Sequence, residues 1–212
     1  NKGLAVKQAN STRFELIDSV PVNLIRKLTL TPAGKLLVGT QEGLYLQQHN
    51  KQFSPYLSAL KASISAIHYD PQGNLWLGTY RRGVWRYDGK QLASLNVDSG
   101  LPNNHVLDIE HDHEGSVWVS THGGLVQFRD ALFSTYQTEH GLVGNYVRAV
   151  FEWNGAIFVG TSSGLSRIDN QGVHAVGSDT ALANQSVLSL AEYDGNLVIG
   201  TYTNGAFLWD GH

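Results

Sequence analysis

An all-β repeat architecture is predicted for this chain by three observations. A signature ending in Gly-Thr or Ser-Thr recurs, most clearly as Asn74-Leu75-Trp76-Leu77-Gly78-Thr79 and Ser116-Val117-Trp118-Val119-Ser120-Thr121. Its closing threonines fall at 40, 79, 121, 161 and 201, so the steps are 39, 42, 40 and 40 residues. Each copy is flanked by short β-branched runs and Gly-containing turns. A fixed period in this range marks a repeat fold. Whatever recurs in every copy is therefore structural, and only departures from the repeat can carry individual chemistry.

The elements of one repeat follow in order. A first apolar strand is expected over Ile25 to Leu30, Ile64 to Tyr69, Val106 to His111, Val147 to Trp153 and Val187 to Tyr193. Turns follow at Thr31-Pro32-Ala33-Gly34, Asp70-Pro71-Gln72-Gly73, Asp112-His113-Glu114-Gly115, Asn154-Gly155 and Asp194-Gly195. Asn-Gly and Asp-Gly supply the positive φ angles that two-residue hairpins require. The signature strand is next, and a third strand opens at Gly43, Gly83, Gly124, Gly164 and Gly205. A weaker fourth strand covers Phe53 to Tyr56, Leu92 to Leu95, Phe133 to Tyr136 and Val173 to Val176.

Four antiparallel strands make a small sheet that cannot cover both of its faces alone. Stacking such sheets about an axis covers the faces and leaves only short edges, which is the β-propeller solution. A β-helix or other solenoid is the rival, with coils usually shorter than about 40 residues. About five repeats fill residues 1–212 as one propeller region. Gly3-Leu4-Ala5-Val6 reads as a third strand and Phe14 to Ile17 as a fourth, so two arrangements are open. The chain is a piece of a larger ring, which the spare third strand favours, or Phe14 to Ile17 completes the last blade of a five-bladed ring.

Composition narrows the partners. A formal net charge of −3 with no basic stripe gives no reason to expect nucleic acid. No apolar run is long enough to span a bilayer, so no direct membrane contact is expected. The absence of cysteine excludes disulfides, thiolate metal sites and cysteine nucleophiles. With no methionine and a start at Asn1, the chain reads as part of a longer protein.

The pattern Asp-x-x-Gly-x-x-Trp-x-Gly-Thr-x-x-Gly-Leu, preceded by Gly-Leu-Pro-x-Asn-x-Val, resembles the two-component regulator propeller repeat. Asp70 to Val84 and Gly100 to Leu125 carry the resemblance best. Ser120 departs from the signature glycine, and Leu37, Phe158 and Val198 depart from the tryptophan, all conservatively for packing. The resemblance implies an extracytoplasmic, periplasmic sensor region of an inner-membrane protein. Its output would be a histidine kinase or a diguanylate cyclase, with a homodimer possible through the parent protein. A fold does not fix a ligand.

Several motifs reduce to structure. One threonine per blade at a strand end is a turn hydroxyl rather than a nucleophile. Trp76, Trp118 and Phe158 occupy one inter-sheet core position. Asp70, Asp112 and Asp194, like Asp88, Asp169 and Asp210, sit in equivalent turns, spread too widely for a glycosidase pair. The run Glu110-His111-Asp112-His113-Glu114 is the best metal candidate, because His-x-His on a strand would put both rings on one face. It falls at the first hairpin turn with no third donor in view, so it reads as solvated surface and no metal is assigned. No phosphate-binding motif, nucleophile elbow or cofactor motif is present.

The residues that differ between repeats lie in two loop sets sharing one face of a propeller. The loops from second to third strand bring Tyr80, Arg81, Arg82, His122 and Tyr202. The links between blades bring His105 and Tyr146, beside a recurring amide (Asn23, Asn104, Asn145, Gln185) that reads as a loop clamp. These seven residues are the expected ligand-binding set. Aromatic faces suit a sugar ring, and arginine forks suit a carboxylate. The expected function is non-catalytic sensing of a small polar ligand, a saccharide or carboxylate-bearing molecule. The rivals are a protein-interaction or dimerisation scaffold and a propeller lyase or glycoside hydrolase, for which Glu42 and His122 are the only acid and base candidates.

Overall fold

The computed structural model describes residues 4–7, 12–17, 20, 24–49, 52–129 and 132–211. Two short strands, β1 (Leu4–Lys7) and β2 (Phe14–Ile17), pair with each other. Blade one then comprises β3 (Ile25–Leu30), β4 (Leu36–Thr40), β5 (Leu44–Gln47) and β6 (Phe53–Tyr56). Blade two comprises β7 (Ile64–Tyr69), β8 (Leu75–Thr79), β9 (Val84–Tyr87) and β10 (Leu92–Leu95). Blade three holds β11 (Val106–His111), β12 (Val117–Thr121), β13 (Gly124–Arg129) and β14 (Leu132–Tyr136). Blade four holds β15 (Val147–Trp153), β16 (Ala156–Thr161), β17 (Gly164–Asp169) and β18 (Gly172–Val176). Blade five has three strands, β19 (Val187–Tyr193), β20 (Asn196–Thr201) and β21 (Ala206–Trp209).

Every blade is an antiparallel meander in chain order. The first strands β3, β7, β11, β15 and β19 touch one another in succession, so they form the inner lining of the array. These are propeller blades. Among the described residues β2 pairs with β1 alone and does not join β21, so it does not complete blade five. Gly3, the glycine that opens the spare third strand, lies outside the described residues.

The stabilising contacts lie between sheets. Leu37 and Leu44 of blade one pack with Ile64, Ile67, Leu75 and Leu77 of blade two, all buried. Each fully buried aliphatic contributes about 1.5–3 kcal/mol, so the blade interfaces, not the single sheets, carry the stability. The signature glycine sits at this contact. A Cβ on Gly78 would lie 2.5 Å from Val106 Cγ1 of the next blade, and one on Gly160 would lie 2.6 Å from Val187 Cγ1. The repeat therefore keeps glycine where the following first strand presses in.

The rest of the signature is a hydrogen-bond device. The carboxylate of Asp70 accepts from the Asn74 amide at 2.8 Å and from the Trp76 indole N–H at 2.8 Å. Asp112 repeats this with the Ser116 amide and the Trp118 indole, both at 2.8 Å. The turn aspartate thus closes the hairpin and satisfies the one polar atom of a buried tryptophan. At the strand end, Thr79 Oγ1 donates to the Gly83 carbonyl at 2.7 Å and accepts from the Arg82 amide at 2.9 Å. Thr40, Thr121, Thr161 and Thr201 do the same in their blades. All five threonines are fully engaged as turn hydroxyls.

Candidate functional site

The face expected to carry recognition is built by one repeated backbone bond. The amide after each signature threonine donates to the carbonyl of the residue just before the first strand. The pairs are Gln41 to Leu24, Tyr80 to Ser63, His122 to His105, Ser162 to Tyr146 and Tyr202 to Ser186, at 2.9–3.1 Å. Two loop positions are thereby held side by side at the same end of every blade. At two of the amide positions the side chain clamps the loop: Asn104 Oδ1 accepts from the Val97 amide and Asn145 Oδ1 from the Thr138 amide. Asn23 lies outside the described residues.

Four of the predicted residues form one continuous ladder of rings. Tyr80 meets His105 edge-on with centroids 3.8 Å apart, His105 stacks on His122 at 3.6 Å, and His122 lies 4.0 Å from Tyr146. The rings come from blade two, blade three and the entry to blade four. Guanidinium groups cap both ends. Arg81 and Arg26 lie 5.5 and 5.8 Å from the Tyr80 centroid, and Arg148 lies 4.6 Å from that of Tyr146. Such contacts are attractive because the ring face is electron-rich.

Arg26 and Arg148 are absent from the sequence-predicted set. Both occupy the β-bulge of a first strand, where register shifts between Ile25 and Lys27 and between Val147 and Ala149. The bulge re-aims a side chain out of the sheet pattern. The corresponding residues elsewhere are Ser65, Leu107 and Leu188, so departure from the repeat was the signal that could have found them.

The electrostatics follow from crowding of cations and loss of water. His105 is pushed down to about 4, first by burial, then by His122, Arg81 and Arg26. His122 is lowered too, by burial and by Arg148. Both rings are thus held neutral at pH 7, which lets them stack. His122 Nε2 and Arg148 Nε are buried without a hydrogen-bond partner among the described residues.

Beside the Tyr80 end, between blades one and two, lies a cavity of about 700 Å³. Tyr45, Tyr56 and Leu60 give it apolar walls, while Glu42, Lys61, Arg81 and Arg82 supply charge. The volume is that of a small-molecule site. Five predicted residues (Tyr80, Arg81, His105, His122 and Tyr146) therefore converge on the ladder, and Arg82 joins Tyr80 and Arg81 at the cavity. Tyr202 stands apart on blade five, 73% exposed. Glu42 lines the cavity, whereas His122 stands two rings away along the ladder, so this acid and base do not face each other across one bond.

The acidic and histidine run on blade three is not simply a turn. Glu110 and His111 end strand β11, and the turn begins at Asp112. His111 and His113 part company: His113 Nδ1 lies 3.0 Å from Glu152 Oε1, while His111 Nδ1 lies 2.8 Å from His68 Nε2. The third donor that the sequence did not reveal is His68, from the neighbouring blade.

Comparison with known proteins agrees with the fold. Residues 60–81 and 100–123 match the family model described as two component regulator propeller. Two solved structures resemble the whole chain. One is the extracellular domain of BT3049 from B. thetaiotaomicron, described as a hybrid two component system (TM-score 0.86, 22% identity, 99% of this chain and 31% of that one). The other is the extracellular domain of BT4673 from the same organism, similarly described (TM-score 0.82, 20% identity, 100% of this chain and 30% of that one). The chain thus spans about a third of the length of these relatives. Virginiamycin B lyase from Staphylococcus aureus shares the fold more distantly, with a TM-score of 0.65 at 14% identity over 87% of this chain and 69% of that one. No curated protein matches. Two segments of the five-bladed array, residues 60–81 and 100–123, are thus similar to the two component regulator propeller repeat.

Proposed function

We propose that this array is an extracytoplasmic sensor of a small polar ligand, carboxylate-bearing or saccharide, within a bacterial membrane signalling protein. The observation that carries the reading is the cavity beside Tyr80, with Arg81, Arg82 and Lys61 near apolar walls. Arginine forks recognise carboxylates in two-point fashion, and tyrosine faces pack on sugar rings. The similarity to extracellular domains of hybrid two component systems supports the location and the sensory role.

The ladder offers a means of response. It crosses two blade boundaries from the cavity edge, so a ligand that favours one setting of Tyr80 biases the setting of blades two to four. Such a ligand must bind the two settings unequally in order to signal. The test is thermal stabilisation by a panel of uronic-acid oligosaccharides, neutral oligosaccharides and short carboxylates. Arg82→Ala and His122→Ala should reduce the stabilisation given by any member that binds. Undiminished stabilisation in both variants overturns the assignment of this face.

The uncovered face of blade five supports a second, compatible proposal: the array belongs to a larger ring. A Cβ on Gly39, Gly78 or Gly160 would meet the next first strand, whereas the three atoms nearest to one on Gly200 all belong to Ser189 of its own blade. That face exposes Tyr193 at 71% and Leu208 at 64%. A further blade would cover both. If so, Tyr193→Ser with Leu208→Lys suppresses self-association of the 212-residue chain in sedimentation; a chain that is already monodisperse at high concentration would count against it.

A further inference from the structure

The inner lining of the array holds a cluster that the sensing face does not use. His68 lies near the end of β7 and His111 at the end of β11, the inner strands of adjacent blades. Register places them toward each other. His68 pairs with Trp76, so it shares the face of Gly78 that meets blade three. His111 pairs with Val117, on the opposite face of blade three, which is turned back toward blade two. Glu110 completes the group from the same strand.

The donor atoms are close enough for one ion. His68 Nε2 and His111 Nδ1 are 2.8 Å apart and Glu110 Oε1 lies 3.5 Å from His111 Nδ1; with one nitrogen taken from each ring, the three ligand atoms all lie within 4.8 Å of one another. Ligand bonds of about 2.0–2.1 Å in a tetrahedral site require donors roughly 3.3 Å apart. The carboxylate already stands close to that separation from His111 Nδ1, and the imidazole pair needs to open by only about half an ångström. Without metal one ring donates its N–H to the facing nitrogen of the other, and a divalent cation would bind both facing nitrogens once the donor ring carries that proton on its far nitrogen instead.

We infer that His68, Glu110 and His111 form a transition-metal site, of the zinc class, that ties blade two to blade three with one coordination position left open. Two imidazoles and one carboxylate are a donor set suited to zinc and poorly suited to magnesium or calcium. The three side chains are half-buried rather than freely solvated. The nearby cation, Lys27, is already paired with Asp108 at 3.3 Å. No other repeat has this set: the matching pairs are Thr29-Leu30, Phe151-Glu152 and Ala191-Glu192. From Ile64 to His68 is four strand residues, about 13 Å, so the site lies at the opposite end of the inner strands from the ring ladder.

The experiment uses the whole chain without an affinity tag. Zinc is titrated by calorimetry, magnesium serves as the control, and cobalt is added to read coordination from its visible d–d bands. The expected result is saturable one-to-one zinc uptake, a melting temperature that rises with zinc concentration, and intense cobalt bands of tetrahedral type. His68→Ala and His111→Ala should each lose the uptake and the bands, whereas His113→Ala and His174→Ala should keep both. Glu110→Gln, which preserves shape, should shift and weaken the cobalt spectrum even if the histidine variants fold poorly. Absence of zinc uptake by the wild-type chain overturns the inference. So does a cobalt spectrum unaltered by Glu110→Gln, or uptake that persists in a folded His68→Ala chain.

Discussion

The amide of His122 donates to the carbonyl of His105 at 3.1 Å, and the two rings stack 3.6 Å apart with 28° between their planes. A backbone bond common to every blade thus fixes a side-chain contact found in only one. The same bond holds Ser162 beside Tyr146 and Tyr202 beside Ser186 without producing a stack. The scaffold is repeated and the chemistry is local.

This arrangement makes stability depend on acid. His105 is held at about 4 in the folded chain against 6.5 when unfolded. The unfolded chain therefore binds the extra proton first, and stability falls as pH drops from about 6.5 toward 4. Below that window both states are protonated and this residue adds no further loss. Urea midpoints measured from pH 7.5 to 4 should decline, and His105→Gln should flatten part of that decline. Identical slopes in the two chains would contradict the shift.

At the contact between blades, Gly78→Ala would push a methyl into Val106. Overpacking of this kind costs about 1–3 kcal/mol. The expected readout is a lower denaturant midpoint with an unchanged slope. Ser120→Gly should be mild by comparison, because blade three already accommodates a side chain there. Its hydroxyl gives up only a 3.2 Å bond to the Asp108 carbonyl.

Asp70 supports both a turn and an indole. Asp70→Ala would orphan the buried Trp76 N–H and the Asn74 amide, at about 1–3 kcal/mol for each buried group left unpaired. Combined with Trp76→Phe, the loss should be smaller than the sum of the two single losses. A coupling of about 0.5–3 kcal/mol in that cycle is expected for residues in direct contact, and strict additivity would refute the pairing.

Within the recognition face the predicted residues should separate. Tyr202→Ala is expected to leave ligand-induced stabilisation untouched, because Tyr202 lies beyond the ladder and the cavity. Arg81→Ala and Arg82→Ala should weaken binding of a carboxylate ligand more than of a neutral one. Equal effects on both ligand types would point to packing rather than charge.

The blades were legible because each level of the sequence agrees with the next. The first strands Ile25–Leu30, Ile64–Tyr69, Val106–His111, Val147–Trp153 and Val187–Tyr193 are formed as read. Short β-rich runs bounded by Asp-Gly, Asn-Gly or Pro-containing turns leave little freedom in where they stop. The loop equivalence also brought Tyr80, His105, His122 and Tyr146 to one end. The contacts of Tyr80 and Tyr146 with the two imidazoles were not legible, since they depend on how one sheet is rotated against the next. Arg26 and Arg148 were hidden by strand assignments that cannot show a bulge. His68 was concealed for a related reason: read along its own strand it is one more residue of a core run. Its partner lies 43 residues away, across a sheet boundary. Face parity in neighbouring repeats, taken together, would have exposed it.

Four rings strung across successive sheets also behave as a gauge of angle. His105 and His122 belong to one rigid blade, so their mutual stack survives any relative turning. The flanking approaches of Tyr80 and Tyr146 do not, because each bridges a joint. Aromatic ring-current shifts of the two imidazoles in proton spectra would therefore report, separately and in solution, which of the two joints a stimulus bends.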